Sequence, residues 1–188
     1  MNTQTEKHIK RYFTTPHLAL IGILTALWVS LNLTIGRLGF QLFQLPVFCD
    51  VAVFLTLLLS VWAVEKFGAA SIVGIAGSLI TLLITGSPHN LGLSASAMIF
   101  DMLFLIVHHK VNKSPYNIGA TIAITLTSAY LAGALIGLLW PPLNATLEYA
   151  LVLWGGWHAI GGVLSLLITL PILGALEKAN VQRLLHAK

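Results

Sequence analysis

Two ionisable side chains stand inside stretches otherwise suited to lipid: Asp101 in LGLSASAMIFDMLFLIVHHK and His158 in LWGGWHAIGGVLS. A carboxylate in the middle of an apolar helix costs about 2.5–3.5 kcal/mol on insertion scales, so its presence asks for a partner or a ligand. Helical spacing aligns Ser94, Asp101 and His108 on one face, and Trp154, His158, Gly161 and Ser165 on another. If both helices enter from the same side, each ionisable group lies about ten residues, or roughly 15 Å, below that side. Paired at one depth, Asp101 and His158 would lower the cost of burying each other. Such a pair is either a strut between two helices or the floor of a cavity.

The elements that position them follow from composition. With ten basic and six acidic residues among 188, and 57% hydrophobic residues, the chain carries too little charge for a soluble domain. The expected class is an all-α integral membrane protein of the cell membrane. The polar start MNTQTEKHIKRYFTTPH has no cleavage site ahead of its apolar run and reads as a cytoplasmic tail, not a signal peptide. The single Cys49 excludes an intrachain disulfide and a cysteine-based metal cluster.

Runs of about 20 apolar residues span a bilayer as helices. Six segments meet that requirement: His17–Gly36, Val47–Val64, Gly68–Thr85, Leu91–Val107, Ile118–Leu139 and Tyr149–Leu176. The expected organisation is a six-helix bundle over residues 17–176 between tails 1–16 and 177–188. With the N-terminus inside, Lys7, Lys10, Arg11, Lys66, Lys110, Lys113, Lys178, Arg183 and Lys188 fall on the inner side and only Arg37 outside. The positive-inside rule then places both termini in the cytoplasm.

Small residues recur every fourth position in three helices: Gly22, Ala26 and Ser30; Ala70, Gly74 and Ser78; Ala129, Gly133 and Gly137. Such seams let backbones approach closely in lipid, either inside the bundle or against another subunit. On the outer side the short connections gather Arg37, Gln41, Gln44, Asp50, His89, Asn90, Asn144 and Glu148. Trp140, Trp154 and Trp157 cluster there too. They read either as an interfacial belt or as flat walls for a planar ring.

Taken together, GILTALWVS in helix 1, GSPHNLGLSASAMIFDMLF with its internal acid, and the Gly-rich ending GGWHAIGGVLSLLITLPILGALEKANV resemble the substrate-binding S components of energy-coupling factor (ECF) transporters. The resemblance covers nearly the whole chain and is diffuse. It implies a six-helix capture subunit that binds its solute in the outer half, under the loop between helices 1 and 2, here GRLGFQLFQLPVFCD. It also implies that Gly22, Ala26 and Ser30 contact a transmembrane coupling subunit. ATP hydrolysis would belong to separate cytoplasmic subunits, in keeping with the lack of a GxxxxGK[ST] motif. No enzymatic activity, cofactor or nucleic-acid partner is expected.

Two other classes compete. GLSA followed by HAIG resembles rhomboid intramembrane serine proteases, with Ser94 as nucleophile and His158 as base. Against it, Ala95 stands where that family has glycine, helix 2 offers no oxyanion donor, and Ser94 lies about five residues above His158 in depth. A small proton-coupled secondary transporter working through Asp101 is the other alternative, without a detectable internal repeat.

Within the leading reading, nickel- and cobalt-capturing S components have a histidine at the extreme N-terminus, whereas this chain begins Met1-Asn2-Thr3. His89, His158 and Asp101 would give a metal only two nitrogens at different depths, so no metal is expected. With Arg37 the sole outer cation, dicarboxylates and phosphate esters are disfavoured. The expected solute is a neutral or weakly cationic heteroaromatic compound: a vitamin, a vitamin precursor or a nucleobase. Asp101, His158, Trp154, Trp157, Asn90, Arg37 and Glu148 are the expected binding residues.

Overall fold

The structure, a computed structural model, describes residues 12–111, 114–139 and 146–186. Every regular element among them is helical. Helix α1 (Thr15–Leu31) runs through a π-helical turn, Asn32–Gly36, directly into α2 (Arg37–Phe43). There follow α3 (Val47–Val64), α4 (Ala69–Thr85), α5 (His89–Leu103) with a 3₁₀ turn at Phe104–Val107, and α6 (Pro115–Leu139). A second π turn, Tyr149–Trp154, opens α7 (Gly155–Lys178), and α8 (Val181–His186) closes the chain.

Five of these helices are long and apolar enough to cross a membrane: Thr15–Phe43, Val47–Val64, His89–Val107, Pro115–Leu139 and Tyr149–Lys178. The sixth apolar helix, Ala69–Thr85, is shorter, at 17 residues. The chain is thus built as a helical membrane protein. One boundary differs from expectation. Much of RLGFQLFQLP, read as a loop, is helix through Phe43, and the chain reverses only at Gln44–Pro46, where Gln44 takes a left-handed φ of 58°. The helix continues because Gly36 and Gly39 allow the wall to lie against Cys49 and Phe48 of α3.

Helix α3 is the axis of the bundle. It is 72% enclosed over its apolar window, against 22% for the first span. It packs on α7, α1 and α4, while α4 packs on α5, α5 on α6 and α6 on α7. Small residues set the close approaches. A side chain on Gly74 would strike Ala97 of α5, one on Gly77 would meet Trp28 of α1, and one on Gly162 would meet Ala129 of α6. Gly133 and Gly137 admit His158 and Ala150.

Two of the three small-residue seams are therefore internal: Ala70, Gly74 and Ser78 of α4 and Ala129, Gly133 and Gly137 of α6 are all buried. The third is not. Gly22, Ala26 and Ser30 are exposed, and nothing lies within 4 Å of the position a Gly22 side chain would take. The opposite face of α1, with Ile21, Leu24, Thr25 and Trp28, is the one that faces the core.

One end of the bundle collects the chain's first and last described segments. Lys66 donates to the Tyr12 carbonyl at 2.6 Å, and the Tyr12 hydroxyl to that of Phe67 at 3.2 Å. Gln182 donates to Glu65 at 2.6 Å. The other end carries both π turns and a cavity.

Candidate functional site

That cavity has a volume of about 350 Å³. Its first wall is the α1–α2 segment, where Asn32, Gly36 and Phe40 recur one turn apart, with Arg37 and Gln41 beside them. The second is the turn between α4 and α5, with Thr85, Ser87 and His89. Trp154 and His158 from the start of α7, Cys49 of α3, Leu93 of α5 and Ile136 of α6 also line it. Both π turns contribute lining residues. A π turn carries an extra residue per turn and so displaces side chains from the regular helical stripe, which is why such turns recur at functional sites.

The buried polar centre of the site is a pair, Asp50 and His158. Nδ1 of His158 lies 2.9 Å from Oδ1 of Asp50, with side chains 2% and 0% exposed. Gly161, one turn below His158, makes the approach possible: a side chain there would sit 2.6 Å from Asp50 Oδ2 and 2.8 Å from the Val47 carbonyl. Gly133 of α6 does the same for the imidazole from the other side, at 2.6 Å from Cδ2. Trp154 lies against His158 with ring centroids 6.1 Å apart. Three buried polar atoms of this cluster, Nε2 of His158, Nε1 of Trp154 and Oδ2 of Asp50, have no protein hydrogen-bond partner among the described residues.

Asp101 is elsewhere, and its expected pairing with His158 is overturned. Its Oδ2 accepts hydrogen bonds from the backbone N–H groups of Gly68 and Ser71, both at 2.9 Å, and its Oδ1 lies 2.9 Å from Nε2 of His109. Asp101 sits near the far end of α5, at the level where α4 begins. The start of α4, FGAAS, offers no Ser, Thr, Asp or Asn at the cap position, where Gly68 stands with φ 92°. The free N–H groups of a helix N-terminus need an acceptor and favour a negative one, and α5 supplies it. His108 and His109 both adopt left-handed backbone (φ 50° and 55°), folding the chain back so that His109 reaches the carboxylate.

Of the remaining expected residues, Arg37, Trp154 and His158 come together around the cavity. Asn90 is fully buried, donating to the Ser87 carbonyl at 2.9 Å, and does not line it. Trp157 is half-buried and Glu148 exposed, and neither faces the cavity. Trp140 and Asn144 lie outside the described residues. Ser94 donates to the Asn90 carbonyl of its own helix at 3.2 Å and is not a lining residue beside His158. No group of three or more His, Cys, Asp or Glu among the described residues is placed to hold a metal ion.

The residues that sequence reasoning left out of the site are Asp50, Asn32, Cys49 and His89. Asp50 and His89 were visible as outer polar groups. The signal that pairs Asp50 with His158 is Gly161, a small residue one turn from the histidine. Comparison with family models, with curated proteins and with solved structures returns no match.

Proposed function

We propose that this chain is the membrane-embedded capture subunit of an ECF-type importer, binding a small ring-bearing solute in the cavity beside His158 and delivering it with separate coupling and ATPase subunits. The observation that carries the reading is the cavity itself. It is walled in part by two π turns, has on its lining His158, the imidazole of the buried Asp50–His158 pair, and presents Trp154 as an aromatic face. Its volume falls within the range of small-molecule sites, which are mostly apolar with few polar groups. The lysine and arginine distribution orients it outward, with both termini cytoplasmic.

The exposed seam on α1 supports the partnership. Backbone-level approach in lipid needs small residues on an unoccupied face, and Gly22, Ala26 and Ser30 offer one. The protease alternative loses support, since Ser94 and His158 serve different neighbours. Mass spectrometry of solute released from the purified protein, together with the proteins that co-purify, tests the proposal. It predicts a bound heteroaromatic compound and a membrane coupling subunit with ATPases; a chain that captures neither a solute nor such partners would sink it.

A further inference from the structure

The cavity opens sideways. Arg37 and Gln41 of α2 and Ile84 and Thr85 of α4 are its exposed lining residues, while the others are buried or half-buried. Its mouth therefore lies between these two helices. Helices α1 and α4 start at the same end of the bundle, where Gly68 approaches Phe13 and Lys66 reaches Tyr12, and they run in the same direction. Gly77 lies against Trp28. Eight residues further on, from 77 to 85 and from 28 to 36, stand Thr85, the last residue of α4, and Gly36. The first span continues through α2 to Phe43, past the end of its neighbour. The mouth is the gap left there.

Its depth follows from the length of α4. No Asp, Glu, Lys or Arg stands between Lys66 and Asp101. An apolar thickness of about 30 Å takes about 20 helical residues, and counted from Gly68, just past Lys66, it ends near Pro88. Ile84 and Thr85, with the half-buried Leu33 of the facing wall, then stand within the hydrocarbon. Arg37 and Gln41 stand at its outer edge. The surface on either side of the mouth suits lipid: Ile35 and Leu38 of the first span, and Ile80 and Leu83 of α4, are exposed. Resting on the capture role above, we propose that the cavity is loaded from the outer leaflet through this side portal. Its solute is then an amphiphile: a polar, ring-bearing head held inside, with an apolar tail that trails between Leu33 and Ile84 into the lipid. A hydrophilic solute would have to shed its water before passing Ile84, which is costly. An amphiphile meets Arg37 and Gln41 where lipid headgroups lie and Ile84 where tails lie. This narrows the expected class to compounds that partition into a bilayer.

Two measurements on the full chain in nanodiscs test this. A nitroxide attached at Ile84→Cys, in a Cys49→Ser background, reports where the mouth lies. It should collide with oxygen, which concentrates in lipid, and be shielded from a water-soluble nickel chelate; one at Gln44→Cys should show the reverse. Native mass spectrometry with benzamide and N-octylbenzamide then asks whether a tail is accepted. The octyl compound should be retained at least as well as benzamide, because its tail need not fit within about 350 Å³. Ile84→Trp, which narrows the portal, should weaken the octyl compound about tenfold more than benzamide. Exposure of position 84 to the nickel chelate, exclusion of N-octylbenzamide where benzamide binds, or octyl binding indifferent to Ile84→Trp overturns the inference and leaves a site loaded from water. Retention of neither probe also overturns it. Failure of the capture reading shows differently, as a purified chain that releases no solute at all.

Discussion

Asp101 and His109 face each other at 2.9 Å across a reversal of the chain, eight residues apart, with the carboxylate's second oxygen on the first N–H groups of α4. This is a cap supplied by one helix to another. Asp101→Asn keeps the shape but removes the charge and turns one acceptor into a donor. Loss of a buried charge-assisted hydrogen bond costs about 1.5–3 kcal/mol. The melting temperature in detergent should fall by several degrees, with solute affinity unchanged. The reverse pattern, intact stability and lost affinity, would return Asp101 to the solute site.

Gly161→Ala should do what Asp101→Asn does not. Its methyl would be 2.6 Å from Asp50 Oδ2 and 2.8 Å from the Val47 carbonyl, contacts that neither backbone nor a buried carboxylate can relieve cheaply. Overpacking of this kind costs about 1–3 kcal/mol, and here it pushes Asp50 off His158. Both thermal stability and binding should drop. A variant that binds normally would show that the pair is dispensable to recognition.

The two kinds of small-residue seam should respond differently to bulk. Ala26→Leu, on the exposed face of α1, should leave melting temperature within a degree or two and impair assembly with a coupling subunit in pull-down. Gly74→Leu, where α4 meets Ala97 of α5, should destabilise the isolated chain. Equal destabilisation by both would make the α1 face a packing surface after all.

Reporter fusions after Lys66 and Lys188 should read cytoplasmic, and those after His89 and Asn144 external. Lys66 is tied to Tyr12 at the end that also holds Gln182. A cytoplasmic signal at His89 would turn the cavity inward and remove its role in capture.

The spans were legible because length and apolarity alone decide what can cross a bilayer; Val47–Val64 was read to the residue. The continuation of α1 into α2 was not, because the exposed Arg37, Gln41 and Gln44 look like loop residues and the packing of Gly36 and Gly39 on α3 has no sign of its own in the sequence. Depth along a helix also placed His158 correctly near the cavity end. It failed for Asp101, since counting from one end says nothing about the donors at the start of α4. His109 was counted only as an inner-side flank; its left-handed backbone, which brings the imidazole to the carboxylate, has no signature in HHK. Asp50 and His158 are 108 positions apart, and only the packing of α3 on α7 joins them.

The two π turns have a consequence for how such a site can change. Each holds one more residue than an α turn of similar rise. Deleting Thr34 or Ile35, neither of which lines the cavity, would let the wall rewind as plain α-helix with α2 kept in register, since an α turn one residue shorter covers a similar rise and rotation. The lining positions inside the turn, Leu33 and Gly36, would be re-aimed although no residue lining the cavity had been exchanged. Recognition here is written partly in chain length: insertions and deletions, ordinarily confined to loops, become a means of retuning what the helix presents.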